Sequence, residues 1–327
     1  MSIDKQVFLQ SIDSFKNYNV LVIGDIILDR YVWGEVTRIS PEAPVPVVNV
    51  LTESIKLGGA GNVANNINSL GSKVCLVGII GKDNYGLQIA SLIEGWNGYP
   101  SSFLLTSDFR PTTSKTRVIA HSQQVVRIDR EVCQSIEAEN VEKVVNFIEE
   151  HYNSYNAIII SDYDKGFLTP YLMERLRYSF FFRENKLVIS IDPKIKDLKN
   201  YTHCKIITPN AQEAYALSGE STIERAGKFL LKKLKCEIVV ITQGKMGMTV
   251  FSHTGETFSI PTVAKQVFDV SGAGDTVIAV FTLAILSGLS IEESAHLSNL
   301  AAGIVVGEVG TVAVTKEQLK EIVSLQM

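Results

Sequence analysis

Six short apolar runs, each closed by a turn residue or an acid, constrain what this chain can fold into. They are "NVLVIGD" (19–25), "KVCLVGIIG" (73–81), "NAIIISD" (156–162), "KLVISIDP" (186–193), "KIITPN" (205–210) and "EIVVITQG" (237–244). The runs are continuous, not alternating, as strands of a parallel sheet must be when helices cover both faces. Between them lie helical patterns. In "NVEKVVNFIEEHY", Val141, Val144, Val145 and Ile148 share one helix face, and "TIERAGKFLLKKL" repeats the arrangement. "TVIAVFTLAILSGLS" is apolar almost all round and reads as a buried helix. Strand–helix alternation of this kind implies an α/β fold, a doubly wound, mostly parallel sheet flanked by helices with right-handed crossovers. "APVPVVNVLTES" and "TTSKTRVIAHSQQVVRIDRE" break the rhythm by alternating. They read as a small antiparallel β-sheet lid drawn from about 31–55 and 112–130, with edge strands of the main sheet as the alternative. A chain of 327 residues, 46% of them hydrophobic, can build one large α/β core, and a single domain over 1–327 is expected.

The net charge of −4, with no long single-sign run, argues against a nucleic-acid binder. Cys75, Cys133, Cys204 and Cys236 are far apart, and neither they nor the five histidines form a zinc pattern. The N-terminal "MSIDKQVFLQSIDSF" carries acids among its apolar residues, unlike a secretory leader. No apolar run reaches the roughly 18 residues a membrane helix needs. A cytoplasmic protein with no membrane partner is expected.

The chemistry concentrates in a few segments. "FDVSGAGDTVIAV" (268–280) places Gly272, Ala273 and Gly274 before a helix. Small residues there expose backbone N–H groups that lack intrahelical partners, and the helix dipole adds positive potential, which suits a phosphate. Asp275 at the edge of such a site can accept a proton from an alcohol as general base. Asp is also a favoured helix N-cap, so the pattern alone leaves both roles open. "LGGAGNVANNINSLG" (57–71) brings Gly58, Gly59, Gly61 and Asn62 to the start of another helix. A polyhydroxylated ligand could touch backbone there, or the glycines could form a plain turn. The Rossmann spacing is not met, no strand leads directly into the segment, and there is no Walker motif. Asp25 and Asp29 follow the first run, where α/β sheets place ligands, and Arg38 could fork onto a phosphate. An exposed loop with an ordinary ion pair is the alternative. In "TPNAQEA" (208–214), Asn210 and Glu213 stand three apart, suited either to hydrated Mg²⁺ or to a capping box. "TQGKMGM", "SDYDKGFL" and "IDPK" also end strands, which converges these candidates on one sheet edge.

"GGAGNVANN" and "DVSGAGDTVIA" resemble the two signatures of the ribokinase-like sugar kinase family, and the likeness spans essentially the whole chain. "DRYVWGEVTRISPEAPVPVV", "QQVVRIDRE", "SDYDKG", "IDPK" and "VVGEVGT" narrow it to members that phosphorylate D-glycero-β-D-manno-heptose 7-phosphate at the anomeric oxygen, on the route to ADP-heptose and lipopolysaccharide. The resemblance implies ATP and Mg²⁺ as cofactors and K⁺ as an activator. It makes Asp275 the catalytic base and the amides of Gly272, Ala273 and Gly274 an anion hole. It assigns Asn210, Ala211, Gln212 and Glu213 to the ATP–Mg²⁺ motif, with Glu213 holding the metal through water. Thr242, Gly244 and Gly247 match the nucleotide loop, and Asn299 the adenine contact. Asp29, Gly58, Gly59 and Asn62 match sugar-binding positions, and Arg38, Lys165, Asp192 and Lys194 would serve the phosphosugar. Asp269, Ser271 and Gly310 resemble a monovalent-cation loop. A homodimer through the lid strands is implied. Similar proteins often carry a nucleotidylyltransferase domain after the kinase; here Met327 ends the sequence, leaving that activity to another protein or to a further segment. Kinases of another sugar, sugar phosphate or nucleoside, and a non-catalytic sugar-nucleotide sensor, remain as alternatives.

Overall fold

The computed structural model describes residues 4–98, 100–121, 123–179, 187–263 and 269–326. Lys186 and Phe268, at the starts of two of the segments quoted above, lie outside the described residues. The strands are β1 (Asn19–Gly24), β2 (Ile26–Ile39), β3 (Pro46–Gly59), β4 (Lys73–Gly81), β5 (Ser102–Ser107), β6 (Ser114–Ala120), β7 (Gln123–Arg130), β8 (Ala157–Ser161), β9 (Val188–Asp192), β10 (Ile206–Ile207), β11 (Ile238–Thr242), β12 (Met248–Ser252) and β13 (Thr257–Ile260). The helices are α1 (Lys5–Ser14), α2 (Ala60–Ser69), α3 (Asn84–Ile93), α4 (Ala138–His151), α5 (Pro170–Tyr178), α6 (Ala211–Ser218), α7 (Ile223–Leu234), α8 (Ala273–Leu286), α9 (Ile291–Val305) and α10 (Lys316–Gln326).

Among the described residues, nine strands form the main sheet in the order β13-β12-β11-β10-β9-β8-β1-β4-β5. All six apolar runs became strands of this sheet. It is parallel from β5 to β11; β12 runs antiparallel to both of its neighbours. One apolar core cluster joins one face of the sheet to α4, α5, α6 and α7. Another joins the opposite face to α1, α2, α3, α8, α9 and α10. Every residue of α8 from Asp275 to Ala284 is buried, which explains its all-round apolar sequence. A fully buried aliphatic side chain contributes about 1.5–3 kcal/mol, so this helix is firmly anchored and its N-terminus is a rigid platform.

The second sheet has the order β3-β2-β6-β7. Its β2–β3 and β6–β7 pairs are antiparallel, but β2 and β6 run parallel at the middle, unlike the purely antiparallel sheet expected. The reason is topological: β2 follows β1 and β6 follows β5, both leaving the C-terminal edge of the main sheet in one direction. A second difference concerns the glycine cluster. A strand does lead directly into it, because β3 ends at Gly59 and α2 begins at Ala60. Gly61 and Asn62 therefore belong to the helix. The outer part of β3 is exposed, so its sequence lacks the buried-strand signature.

Candidate active site

Asp275 lies in the first turn of α8 and is only 1% exposed. It does not cap the helix: the N-cap is Gly272, at φ 82°, with no side-chain cap. The carboxylate is instead held from two other elements. Asn62 Nδ2 in α2 donates to Oδ2 at 2.8 Å, and the Tyr163 hydroxyl donates to Oδ1 at 2.7 Å. Burial pushes the Asp275 pKa up to about 6; the bonds from Asn62 and Tyr163 oppose it, as does Lys194, while Asp29 adds to it. A carboxylate tuned near 6 is a usable general base at neutral pH. Gly272 is required by this arrangement. A Cβ there would lie 2.6 Å from Asn62 Nδ2, the donor that positions the base. Among the described residues Asn62 Oδ1 is buried with no hydrogen-bond partner, which leaves an acceptor beside the Asp275 carboxylate.

A cavity of about 360 Å³ opens against this helix start. Its lining includes Gly272, Ala273 and Gly274, Thr242, Gly244, Gly247 and Asn299, and Asn210, Glu213, Asp192, Lys194 and Tyr163. The Ala273 amide donates to Val270 O at 3.3 Å, so the amides of Gly272 and Gly274 flank an already engaged group. Asn210 and Glu213 form a full capping box on α6: Asn210 Oδ1 accepts from Glu213 N and Glu213 Oε2 from Asn210 N, both at 2.9 Å. That box leaves Glu213 Oε1 to pair with Lys194 Nζ. Burial works against the Lys194 ammonium, but the carboxylates of Asp192 and Glu213 outweigh it and raise its pKa. Burial drives the Asp192 carboxyl well above the usual range, with Lys194 opposing. Asn299 Nδ2 donates to Pro261 O at 2.8 Å, which fixes its amide at the cavity wall.

The second sheet contributes Asp29, whose Oδ1 is paired with Arg117 of β6. Both are largely buried, and the Arg117 guanidinium lies 5.3 Å from the Tyr31 ring centroid. Gly58 is needed here too, because a Cβ would sit 2.3 Å from Asp29 Oδ2. Asp269 joins the loop before α8 to the one after α9: Oδ1 accepts from Ser271 N at 2.9 Å and Oδ2 from Gly310 N at 3.0 Å.

The sequence profile of the pfkB family of carbohydrate kinases matches residues 17–318. The chain belongs to that family. A relative from Geobacter sulfurreducens, named bifunctional protein HldE, is 42% identical over 306 residues, which cover 92% of this chain and 62% of the relative. The HldE of Desulfatibacillum aliphaticivorans is 44% identical over 311 residues, covering 94% and 63%. The chain thus spans less than two thirds of the length of these relatives. Two solved structures share the ribokinase-like fold. Arabidopsis thaliana ribokinase complexed with ribose and ATP aligns with TM-score 0.68 at 20% identity, covering 94% of this chain and 98% of its own. Escherichia coli phosphofructokinase-2 with substrates and products aligns with TM-score 0.74 at 15% identity, with the same coverages.

Within this carbohydrate kinase most of the sequence-derived site residues come together, and five do not. Gln212 is exposed and Ala211 packs towards the core, because a capping box turns only the first and fourth residues of "NAQE" to the cavity. Arg38 is exposed near the outer end of β2, nine residues beyond Asp29, or about 30 Å along an extended strand. Lys165 pairs with Glu131 at 2.9 Å and does not line the cavity. Asp25 is not placed to take ligand hydroxyls either: it accepts the amides of Tyr163, Lys165 and Phe167 at 3.0–3.1 Å and holds that loop. Two site residues had no sequence signal. Arg117 sits in an alternating strand, where an arginine normally marks a solvated face. Tyr163 lies within the quoted "SDYDKG" but meets Asp275 across 112 residues. Among the described residues no helix is long and apolar enough to cross a membrane.

Proposed function

We propose that this kinase transfers the γ-phosphoryl group of ATP to the anomeric hydroxyl of D-glycero-β-D-manno-heptose 7-phosphate, giving the 1,7-bisphosphate used for ADP-heptose and lipopolysaccharide core. The observation that carries the reading is the buried Asp275, gripped by Asn62 and Tyr163 at the amide-lined start of α8. Asp275 takes the acceptor's proton, and the helix-start amides stabilise charge on the transferring phosphoryl group. The unpartnered Asn62 Oδ1 and the Asp29–Arg117 pair supply polar groups for a sugar. The sequence likeness to proteins named HldE favours the heptose phosphate over other acceptors.

Glu213 lines the cavity beside Asp192 and Lys194, a carboxylate of the kind that takes the waters of hydrated Mg²⁺. Glu213 would hold the metal through water, and the ion would supply positive charge to offset that of the phosphates. Asp269 gathers Ser271 and Gly310 as a cation loop would require, which makes K⁺ activation part of the proposal. The lid exposes Ile39, Val50, Leu51, Val126 and Ile128, apolar surface suited to a homodimer in a cytoplasmic enzyme. Sedimentation of the wild type and of Ile128→Lys tests this: dimer and monomer are expected, and a monomeric wild type refutes it. The kinase reading is tested by ADP release with heptose 7-phosphate, ribose and fructose 6-phosphate as acceptors. Preferred turnover of the heptose phosphate supports it. Preference for another acceptor reassigns the substrate, and binding without turnover of any acceptor points to a sensor.

A further inference from the structure

The Tyr163 hydroxyl occupies one oxygen of the catalytic base. Its 2.7 Å bond to Asp275 Oδ1 is the contact an acceptor alcohol needs in order to surrender its proton. Tyr163 also lines the cavity, together with Gly272–Gly274, while Asp275 itself is absent from the cavity wall and 1% exposed. Lys194 Nζ stands 5.2 Å from the ring centroid. The side chain therefore adjoins both the cavity and the base.

We propose that Tyr163 is an acceptor gate: its phenol takes the place of the acceptor hydroxyl on Asp275 and excludes water from the base until a sugar displaces it. The proposal rests on the kinase reading above. A kinase holding ATP beside an activated base wastes it whenever water enters the acceptor position. In that leak, water oxygen bonds to the γ-phosphorus, the bond to the β–γ bridging oxygen breaks, ADP leaves with that oxygen, and the water's proton passes to Asp275.

Tyrosine suits the task on two counts. Burial and the negative charges of Asp275, Asp192 and Asp29 hold its hydroxyl well above the usual phenol range, so it stays protonated and does not compete as a nucleophile. Its backbone is also fixed. Asp25 accepts the amides of Tyr163, Lys165 and Phe167, and Asp162 Oδ1 accepts that of Asp164 at 2.8 Å. The gate opens by rotation of the side chain, without unfolding the loop.

The test is phosphate release from Mg-ATP with no sugar present. Tyr163→Phe, which keeps the ring and deletes the hydroxyl, should hydrolyse ATP at least tenfold faster than wild type, and Tyr163→Ser faster still. Adding Asp275→Asn to Tyr163→Phe should return the rate to the wild-type background. With acceptor, Tyr163→Phe should move the acid limb of the kcat/KM profile to higher pH, because the carboxylate loses a donor. A merely structural tyrosine would not produce that movement. ATP-induced thermal stabilisation verifies that each variant is folded. A wild type that phosphorylates no acceptor overturns the kinase reading and the gate together. A wild type that phosphorylates an acceptor, beside a folded Phe variant that hydrolyses no faster, overturns the gate alone; so does a leak that survives in the double variant.

Discussion

Replacing Asp275 by asparagine should make this protein both inactive and more stable. The wild-type carboxyl has an ordinary value of 3.8 and is lifted to about 6 in the fold, chiefly by burial. Each pKa unit corresponds to about 1.4 kcal/mol, so the buried carboxylate costs about 3 kcal/mol once ionised. The direction follows from proton binding. A raised folded value means the native state holds its proton longer, so the cost is absent below pH 3.8 and complete above about pH 6. Asparagine keeps the shape and carries no charge. Tyr163 can still donate to its oxygen, and Asn62, by turning its amide over, can offer the unpartnered Oδ1 to the new amide. The variant should exceed wild type by up to about 3 kcal/mol at pH 8, or about 4 °C in Tm for a chain of this size, and by almost nothing near pH 4. Its kcat should fall about 10²–10⁴-fold. Denaturation at several pH values and ADP release measure the two effects. Stability curves that run parallel across pH would refute the buried carboxylate, and a kcat within threefold of wild type would refute the base.

Other outcomes follow from the same geometry. In wild type, kcat/KM should fall about tenfold per unit below pH 6, as Asp275 becomes protonated among Tyr163, Asn62, Asp29 and Lys194; a profile flat to pH 5 excludes Asp275 as the base. Gly272→Ala should lower Tm and reduce activity at least tenfold, because its Cβ meets Asn62 Nδ2 and its φ of 82° strains a non-glycine residue by about 1–3 kcal/mol. A fully active variant would show that Asn62 does not orient the base. Arg117→Met leaves Asp29 buried without its cation and should cost about 3–5 kcal/mol, with most of that recovered by adding Asp29→Asn. An unchanged denaturation midpoint would contradict that account.

The parallel core was readable in advance because strands covered on both faces must be apolar throughout, and "NAIIISD" has no other economical explanation. The helix start at Gly272–Asp275 was readable because three small residues before an apolar helix leave backbone as the only functional group. What the sequence left ambiguous was the duty of each carboxylate. Asp275 and Asp25 are both compatible with ligand contact, yet tertiary partners hold one between Asn62 and Tyr163 beside the cavity and make the other a loop staple. Arg117 and Tyr163 were illegible because their partners lie 88 and 112 residues away, and no local periodicity encodes such pairings. The strand in "APVPVVNVLTES" was legible from its alternation, but its run on to Gly59 was not, because exposure along its outer length admits polar residues and hides the join to α2.

The single residue between β1 and β2 has a mechanical consequence. Asp25 joins a core strand of the main sheet to the small sheet, its carbonyl accepts the Ala60 amide that opens α2 at 3.0 Å, and its carboxylate clasps the loop bearing Tyr163. Fulcrum, latch and clasp coincide at one position. The small sheet, the start of α2 and the tyrosine-bearing loop are therefore tied to a single residue, and a substitution that displaced Asp25 would disturb all three together.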